Sequence, residues 1–271
     1  MALVAAAVAG CSDDSGDAAE PATTTTTVPL RYSGAVVGDH EVAPIYRQGL
    51  ARTADGWLFS TNNAFFRTDP SFVEFDKVEG VIPEALAAEG FDHVGDIDIA
   101  IDDGVLWAPL ERPDRESGQV IARYDAATLE FVGSDAVPQH HAAFVAVADD
   151  VIYSMDQFDT DDTILRYRWT GSALEPLDSL PLSRALSRVQ GGDIAEGALW
   201  LSTDDEQNGV YRVDLSTGEV TDLGSAGRVV GEGEGIDAAN LPDGGPLRVL
   251  VADEQLVPMW VVNLVVSSEP E

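Results

Sequence analysis

Lysine is almost missing from this chain. Lys77 is the only one in 271 residues, so arginine supplies nearly all of the 15 positive charges that stand against 48 acidic residues. The resulting net charge of -33 excludes nucleic acid as a partner, because phosphates demand a basic patch. It also attracts cations without specificity, so acidic pairs such as Asp102-Asp103 and Asp149-Asp150 read as solvated hairpin turns. Cysteine is nearly as scarce: Cys11 stands alone, which rules out an intrachain disulfide. No apolar run reaches the roughly 18 residues that a spanning helix needs. The chain also lacks G-x-S-x-G, H-E-x-x-H, C-x-x-C and G-x-x-x-x-G-K, which removes the readiest sequence routes to a nucleophile elbow, a zinc protease, a thiol redox pair or a phosphate cradle.

What is present begins with an address. Residues 1–9 are apolar, and Val8-Ala9-Gly10-Cys11 matches the bacterial lipobox, in which a small residue precedes the cysteine that receives lipid. Residues 1–11 therefore read as a lipoprotein signal segment. A lipid on Cys11 is expected to hold the protein to the bilayer on the extracytoplasmic face of the cell membrane. Residues 12–27, rich in Ser, Asp and Thr, are too polar to bury anything and suit a flexible tether. Residues 28–271 read as one folded domain, and the 45% hydrophobic content suits a packed core.

That domain is periodic. Leu58, Leu106, Ile152, Leu199 and Val249 sit at the same place in five similar apolar strands, at spacings of 48, 46, 47 and 50 residues. The cleanest copy runs over residues 187–223, where Leu199-Trp200-Leu201-Ser202 is followed by Asn208-Gly209, read as a two-residue hairpin turn, and by the alternating strand from Val210 to Leu215. A period of about 40–50 residues with several short strands per copy is the mark of an all-β propeller. Five blades are expected, with six if residues 76–91 hide a degenerate copy. Those residues read more simply as an insertion, since Pro83 and Gly90 bracket a short helix. An open ring leaves exposed sheet edges, so the strand at residues 28–37 is expected to close it by joining the last blade. Trp57, Trp107 and Trp200, on repeated strands, are expected between blades.

Aligning the starts of the innermost strands brings one polar side chain per blade into register: Gln48, His93, His140, Gln190, and Glu232 or Glu234, with His141 alongside. Asp96 and Asp193 fall slightly further in. These residues are the candidate binding site, at one mouth of the central channel. Oxygen donors of this kind suit calcium, with Asp96 and Glu234 as the metal ligands. Two histidines with a carboxylate suit a transition metal. The same groups also serve as acid and base toward a substrate, or simply hydrogen-bond the channel backbone.

The His93-x-Gly95-Asp96-Ile97 start, the Leu-Trp strands, the segment Val210 to Gly218 and the Glu-Gly-Ile at Glu234 together resemble secreted bacterial propellers of the gluconolactonase, strictosidine-synthase-like and paraoxonase grouping. The resemblance implies calcium in the channel and a lactonase or esterase activity, and this chain departs from it in showing five repeats rather than six. Two functions are thus expected: a membrane-anchored binding module for an unidentified small molecule or protein, and, as the alternative, a calcium-dependent lactone or ester hydrolase.

Overall fold

The computed structural model describes residues 30–100, 104–114, 118–227, 231–253 and 258–270. The lipobox with Cys11, the tether, and Asp102-Asp103 lie outside the described residues. The chain opens with β1 (Leu30–Val42) and then lays down five sheets in order around an axis. Blade one holds β2 (Gly49–Arg52), β3 (Trp57–Thr61), β4 (Ala64–Thr68) and β5 (Glu74–Glu79). The short helix α1 (Glu84–Ala88) follows, entered from Pro83 and left by Gly90 at φ 97°, as the proline and glycine in the sequence require. Blade two holds β6 (His93–Val94), β7 (Asp98–Ala100), β8 (Val105–Glu111), β9 (Gln119–Asp125) and β10 (Phe131–Val137). Its innermost strand is split in two at Asp96. Blade three holds β11 (Ala146–Ala148), β12 (Val151–Ser154), β13 (Asp161–Trp169), β14 (Leu174–Pro176) and β15 (Leu180–Leu186), the last two pairing with opposite ends of β13. Blade four is β16 (Val189–Ala195), β17 (Ala198–Thr203), β18 (Gly209–Asp214) and β19 (Val220–Ser225). Blade five is β20 (Gly233–Asp237), β21 (Leu247–Ala252), β22 (Met259–Pro270) and, as its outer strand, β1.

The ring therefore has five blades and is closed by the N-terminal strand. Antiparallel pairing between β1 and β22 runs from Leu30 opposite Pro270 to Val42 opposite Met259, a longer seam than the expected residues 28–37. The five periodic residues, Leu58, Leu106, Ile152, Leu199 and Val249, are all buried on second strands. The core is divided into clusters that lie between neighbouring blades. Trp57 packs between blades five and one, Trp107 between two and three, and Trp200 between four and five.

One expectation needs correcting. Asn208-Gly209 is not a two-residue hairpin turn; β17 ends at Thr203 and a five-residue loop intervenes. Asp205 takes over the turn, since its carboxylate accepts N–H bonds from Gln207 and Gly209, and Asn208 sits at φ 48° at the end of the loop. The Ser216-Thr217-Gly218 turn forms as its residues dictate. Asp214 Oδ1 accepts from the N–H groups of Ser216 and Thr217, and Asp125 does the same for Ala127 and Thr128 in blade two. Among the described residues no helix is long and apolar enough to cross a membrane.

The closing seam makes a specific claim about two glycines of β1. A Cβ on Gly34 would stand 2.6 Å from Leu264 Cδ2 and 2.8 Å from the Leu223 carbonyl, whereas one on Gly38 would meet nothing within 4 Å. Overpacking of this kind costs about 1–3 kcal/mol. Gly34→Leu should lose about that much stability in urea unfolding while Gly38→Leu stays within about 0.5 kcal/mol of wild type. Equal losses in both would show that β1 is not packed as a blade strand.

Candidate functional site

The five inner strands approach so closely that side chains do not fit between them. A Cβ on Gly49 would stand 2.5 Å from Asp96 Oδ1, one on Gly235 2.4 Å from the same atom, one on Gly191 2.7 Å from Gly235 Cα, and one on Gly95 2.1 Å from the Ala143 carbonyl. Each inner strand is a sheet edge, and an edge carries N–H groups with no ladder partner. Asp96, fully buried, supplies the acceptor. Its Oδ1 takes the N–H groups of Leu50 (3.1 Å) and Ile97 (3.1 Å), and its Oδ2 those of Gly192 (3.0 Å) and Ile236 (3.2 Å). Its backbone completes the set by donating to Ala143 O and accepting from Val145 N. One residue thus touches all five blades and plugs the channel. Burial pushes its pKa well above the ordinary aspartate range, the Ile236, Gly192 and Leu50 N–H groups pull it down, and the charge of Asp193 adds to the rise.

The sequence-derived mouth residues separate into two groups above this plug. At blades one, four and five, Glu234 is buried and its carboxyl is raised well above the usual range, by burial first and then by Glu232 and Asp204, against the pull of Arg47. Asp204 itself pairs with Arg188. Gln48 spends its backbone on Ser60 O and Gly235 N, and Gln190 is half-buried at the bulge between Val189 and Gly191. At blades two and three, His141 Nδ1 lies 2.6 Å from Glu111 Oε1, both side chains buried, and His93 faces Glu111 across the β6–β8 ladder. Burial works to raise the Glu111 pKa, but His141, the Ala142 N–H and His93 together bring it below the usual value. His140 is exposed, with Nδ1 3.2 Å from Asp156 Oδ1, beside a small cavity of about 270 Å³. Of the two expected calcium ligands, Asp96 does not fit the ion, because both its oxygens are engaged by four N–H groups; Glu234 lies among Glu232, Asp204 and Arg47. Calcium takes six or more open oxygen donors. Among the described residues no group of three or more His, Cys, Asp or Glu is placed to hold a metal ion.

Asp193 goes to the opposite end. There the inner strands finish around a larger cavity of about 770 Å³, lined by Asp98, Asp193 and Asp237 from blades two, four and five, by Arg52 of blade one, and by Asp149, Asp150 and the rings of Trp107 and Trp169. Each of the three inner carboxylates clips its blade to the next. Asp98 Oδ2 accepts from Val147 N at 2.6 Å, Asp193 Oδ2 from Ala238 N at 2.5 Å, and Asp237 Oδ2 from Arg52 N at 2.8 Å. Asp98 and Asp193 also accept the following N–H, of Ile99 and Ile194, on their other oxygens. Asp237 Oδ1 makes no hydrogen bond of ordinary length and angle among the described residues, although the carboxylate is buried; the Ala239 N–H acts on that carboxylate and pulls its pKa down. Burial raises Asp193 to about 6, and burial with the charge of Asp193 raises Asp237 to about 7, against Arg52 N–H and Arg248. Asp98 is raised well above the usual range by burial and by Asp193. The sequence pointed to Asp193 but not to Asp98, Asp237 and Arg52; Asp149-Asp150 is the exposed hairpin turn it implied, between β11 and β12, and also borders the cavity.

No protein-family model matches this chain, and no curated protein matches it. Among solved structures it is similar to a luciferin-regenerating enzyme, at 16% identity over 80% of this chain and 77% of that one, with a TM-score of 0.55. It is also similar to a gluconolactonase from Xanthomonas campestris, at 15% identity over 77% of this chain and 68% of that one, with a TM-score of 0.49. At such identities the likeness is one of fold alone, and what it supports is a distant propeller similarity.

The raised carboxyls of the large cavity set a pH dependence. Asp193 and Asp237 hold their protons more tightly folded than unfolded, so their contribution to stability is full below about pH 4, the unfolded value, and is lost as pH rises through about 6 and 7. Thermal melts should therefore show stability falling between pH 5 and pH 8. Asp237→Asn should flatten that slope and melt higher than wild type at pH 8, by an amount on the order of 2 kcal/mol. A variant curve parallel to wild type would mean that Asp237 is ionised throughout.

Proposed function

We propose that this chain is a membrane-anchored, extracytoplasmic propeller that binds a small ligand in the cavity at the finishing ends of its inner strands. The observation that carries the binding reading is the cavity itself. Its volume of about 770 Å³ falls within the roughly 300–1,000 Å³ of small-molecule sites, and it combines aromatic walls with a few buried polar groups at fixed positions. Those groups sit on strands, not on mobile loops, and are held from the neighbouring blade. That is the rigidity a selective site needs. The anchoring part rests on Val8-Ala9-Gly10-Cys11 and the polar residues that follow. A hydrolase acting through calcium draws less support, because Asp96 already has both oxygens engaged by backbone N–H groups.

The binding reading is checked with a fragment panel of amines, neutral alcohols and carboxylates, observed by NMR. Ala100 lines the cavity and is half-buried, so Ala100→Trp should narrow the space and weaken the fragment binding seen with wild type. Fragments that bind the variant as well as wild type would place the site elsewhere. For the address, the full-length product expressed in a bacterium should fractionate with membranes and Cys11→Ser should release it. An unmodified Cys11 found by mass spectrometry in the membrane fraction would count against a lipid anchor.

A further inference from the structure

We propose that this cavity takes a small organic cation, an amine or guanidinium carried on an apolar body. The inference rests on the binding reading above and adds the chemical class of the ligand.

Charge is the first argument. Five carboxylates line the space, and Arg52 is the one guanidinium among the lining residues; Arg168 lies 3.3 Å from Asp150, and the charge of Arg248 reaches Asp237. Five carboxyls thus face three guanidiniums, which disfavours an anionic ligand. Hydrogen bonding is the second. Asp237 borders the cavity and is 2% exposed, its Oδ2 is committed to Arg52 N–H, and its Oδ1 makes no hydrogen bond of ordinary geometry among the described residues. A buried acceptor left without a donor costs about 1–3 kcal/mol, and more when charged. An N–H of a cationic ligand would remove that cost and pair the charge in the same contact. A neutral hydroxyl would supply the bond without the charge.

Size and wall chemistry then separate an organic cation from a metal ion. Among the described residues no three acidic or histidine side chains stand close enough to hold one ion, and Asp98 and Asp193 have both oxygens committed to backbone N–H groups. The volume far exceeds what an ion needs, and Ile99, Ile152 and Ile194 join Trp107 and Trp169 in lining it. The Arg123 guanidinium lies 3.8 Å from the Trp169 ring centre and 5.6 Å from that of Trp107 and is paired with Asp135, so these rings serve the cavity as apolar wall. An alkyl or aryl body against this wall with its charged end at Asp237 satisfies both kinds of surface at once.

Isothermal titration of the full chain with phenethylamine, cadaverine, phenethyl alcohol and calcium chloride tests the class. High salt screens binding to the acidic surface and leaves binding inside the cavity largely intact. At high salt phenethylamine should bind about tenfold or more tightly than phenethyl alcohol. Asp237→Asn should lose roughly tenfold of the amine affinity, a difference of about 1.4 kcal/mol. Asp193→Asn, which keeps the same shape, gives a second reading should the first variant misfold. An alcohol that binds as tightly as the amine, with both weakened in Ala100→Trp, would overturn the cationic class and leave the binding cavity standing. Calcium displacing the amine at lower concentration would replace the organic cation by a metal. Amine affinity unchanged in both Asp variants would assign the binding to the surface and overturn the proposal. If neither the probes nor the fragment panel bind in the cavity, the binding reading falls with it.

Discussion

The structure depends on how one carboxylate answers a geometrical problem. Five blades bring their innermost strands together at an axis too narrow for side chains, and Gly49, Gly95, Gly191 and Gly235 are the residues that allow it. Closing the ring this tightly leaves the inward N–H groups of Leu50, Gly192 and Ile236 in a dry place, where an unmatched donor is costly. A carboxylate offers about four acceptor directions, and Asp96 uses them on four N–H groups drawn from four blades. The split of the inner strand of blade two at Asp96 is the local cost of turning that side chain onto the axis. With Ala143 and Val145 on its own backbone, Asp96 makes the inner strands of the five sheets a single connected unit.

Most of the fold was legible because it rests on short-range patterns that repeat. The same kind of apolar second strand returning at a near-constant spacing implied blades, Pro83 and Gly90 implied the short helix, and the need to cover a sheet edge implied that the first strand joins the last blade. The Asn208-Gly209 pair misled because a hairpin dipeptide is a local signal, and Asp205, three residues earlier, captures the turn through its side chain. The candidate site was legible in part only. Strand starts do gather at one mouth, but the partners that decide what those side chains do come from other places in the blade: Glu111 from the end of a second strand, Asp204 just beyond another, and Arg47 just before β2. No register argument lists them.

A signal for the opposite end was present in the residues. Asp98, Asp193 and Asp237 each follow an axial glycine, Gly95, Gly191 or Gly235, by two or three positions. The bulge around Asp96 shifts blade two by one residue and hides the repeat. The acidic composition hides it further, because among 48 carboxylates three more attract no notice. What distinguishes them is burial and the neighbour each one holds, and neither is written in spacing.

The same three carboxylates both line the large cavity and clip neighbouring blades, from two to three, four to five and five to one. Their two roles are linked. Each aspartate costs stability while it is charged and without a counter-charge, and each cost falls on a seam between blades. A ligand that neutralises them favours the folded ring over any state in which those seams open, in proportion to how much more tightly it binds the closed form. The seam at blade five is where the chain closes, through β1 and β22, so Asp237 and its bond to Arg52 stand beside the joint between the first and last parts of the sequence. A ligand bound at Asp237 would be coupled to closure by the Arg52 N–H bond itself, and ring stability would then serve as a measure of its occupancy.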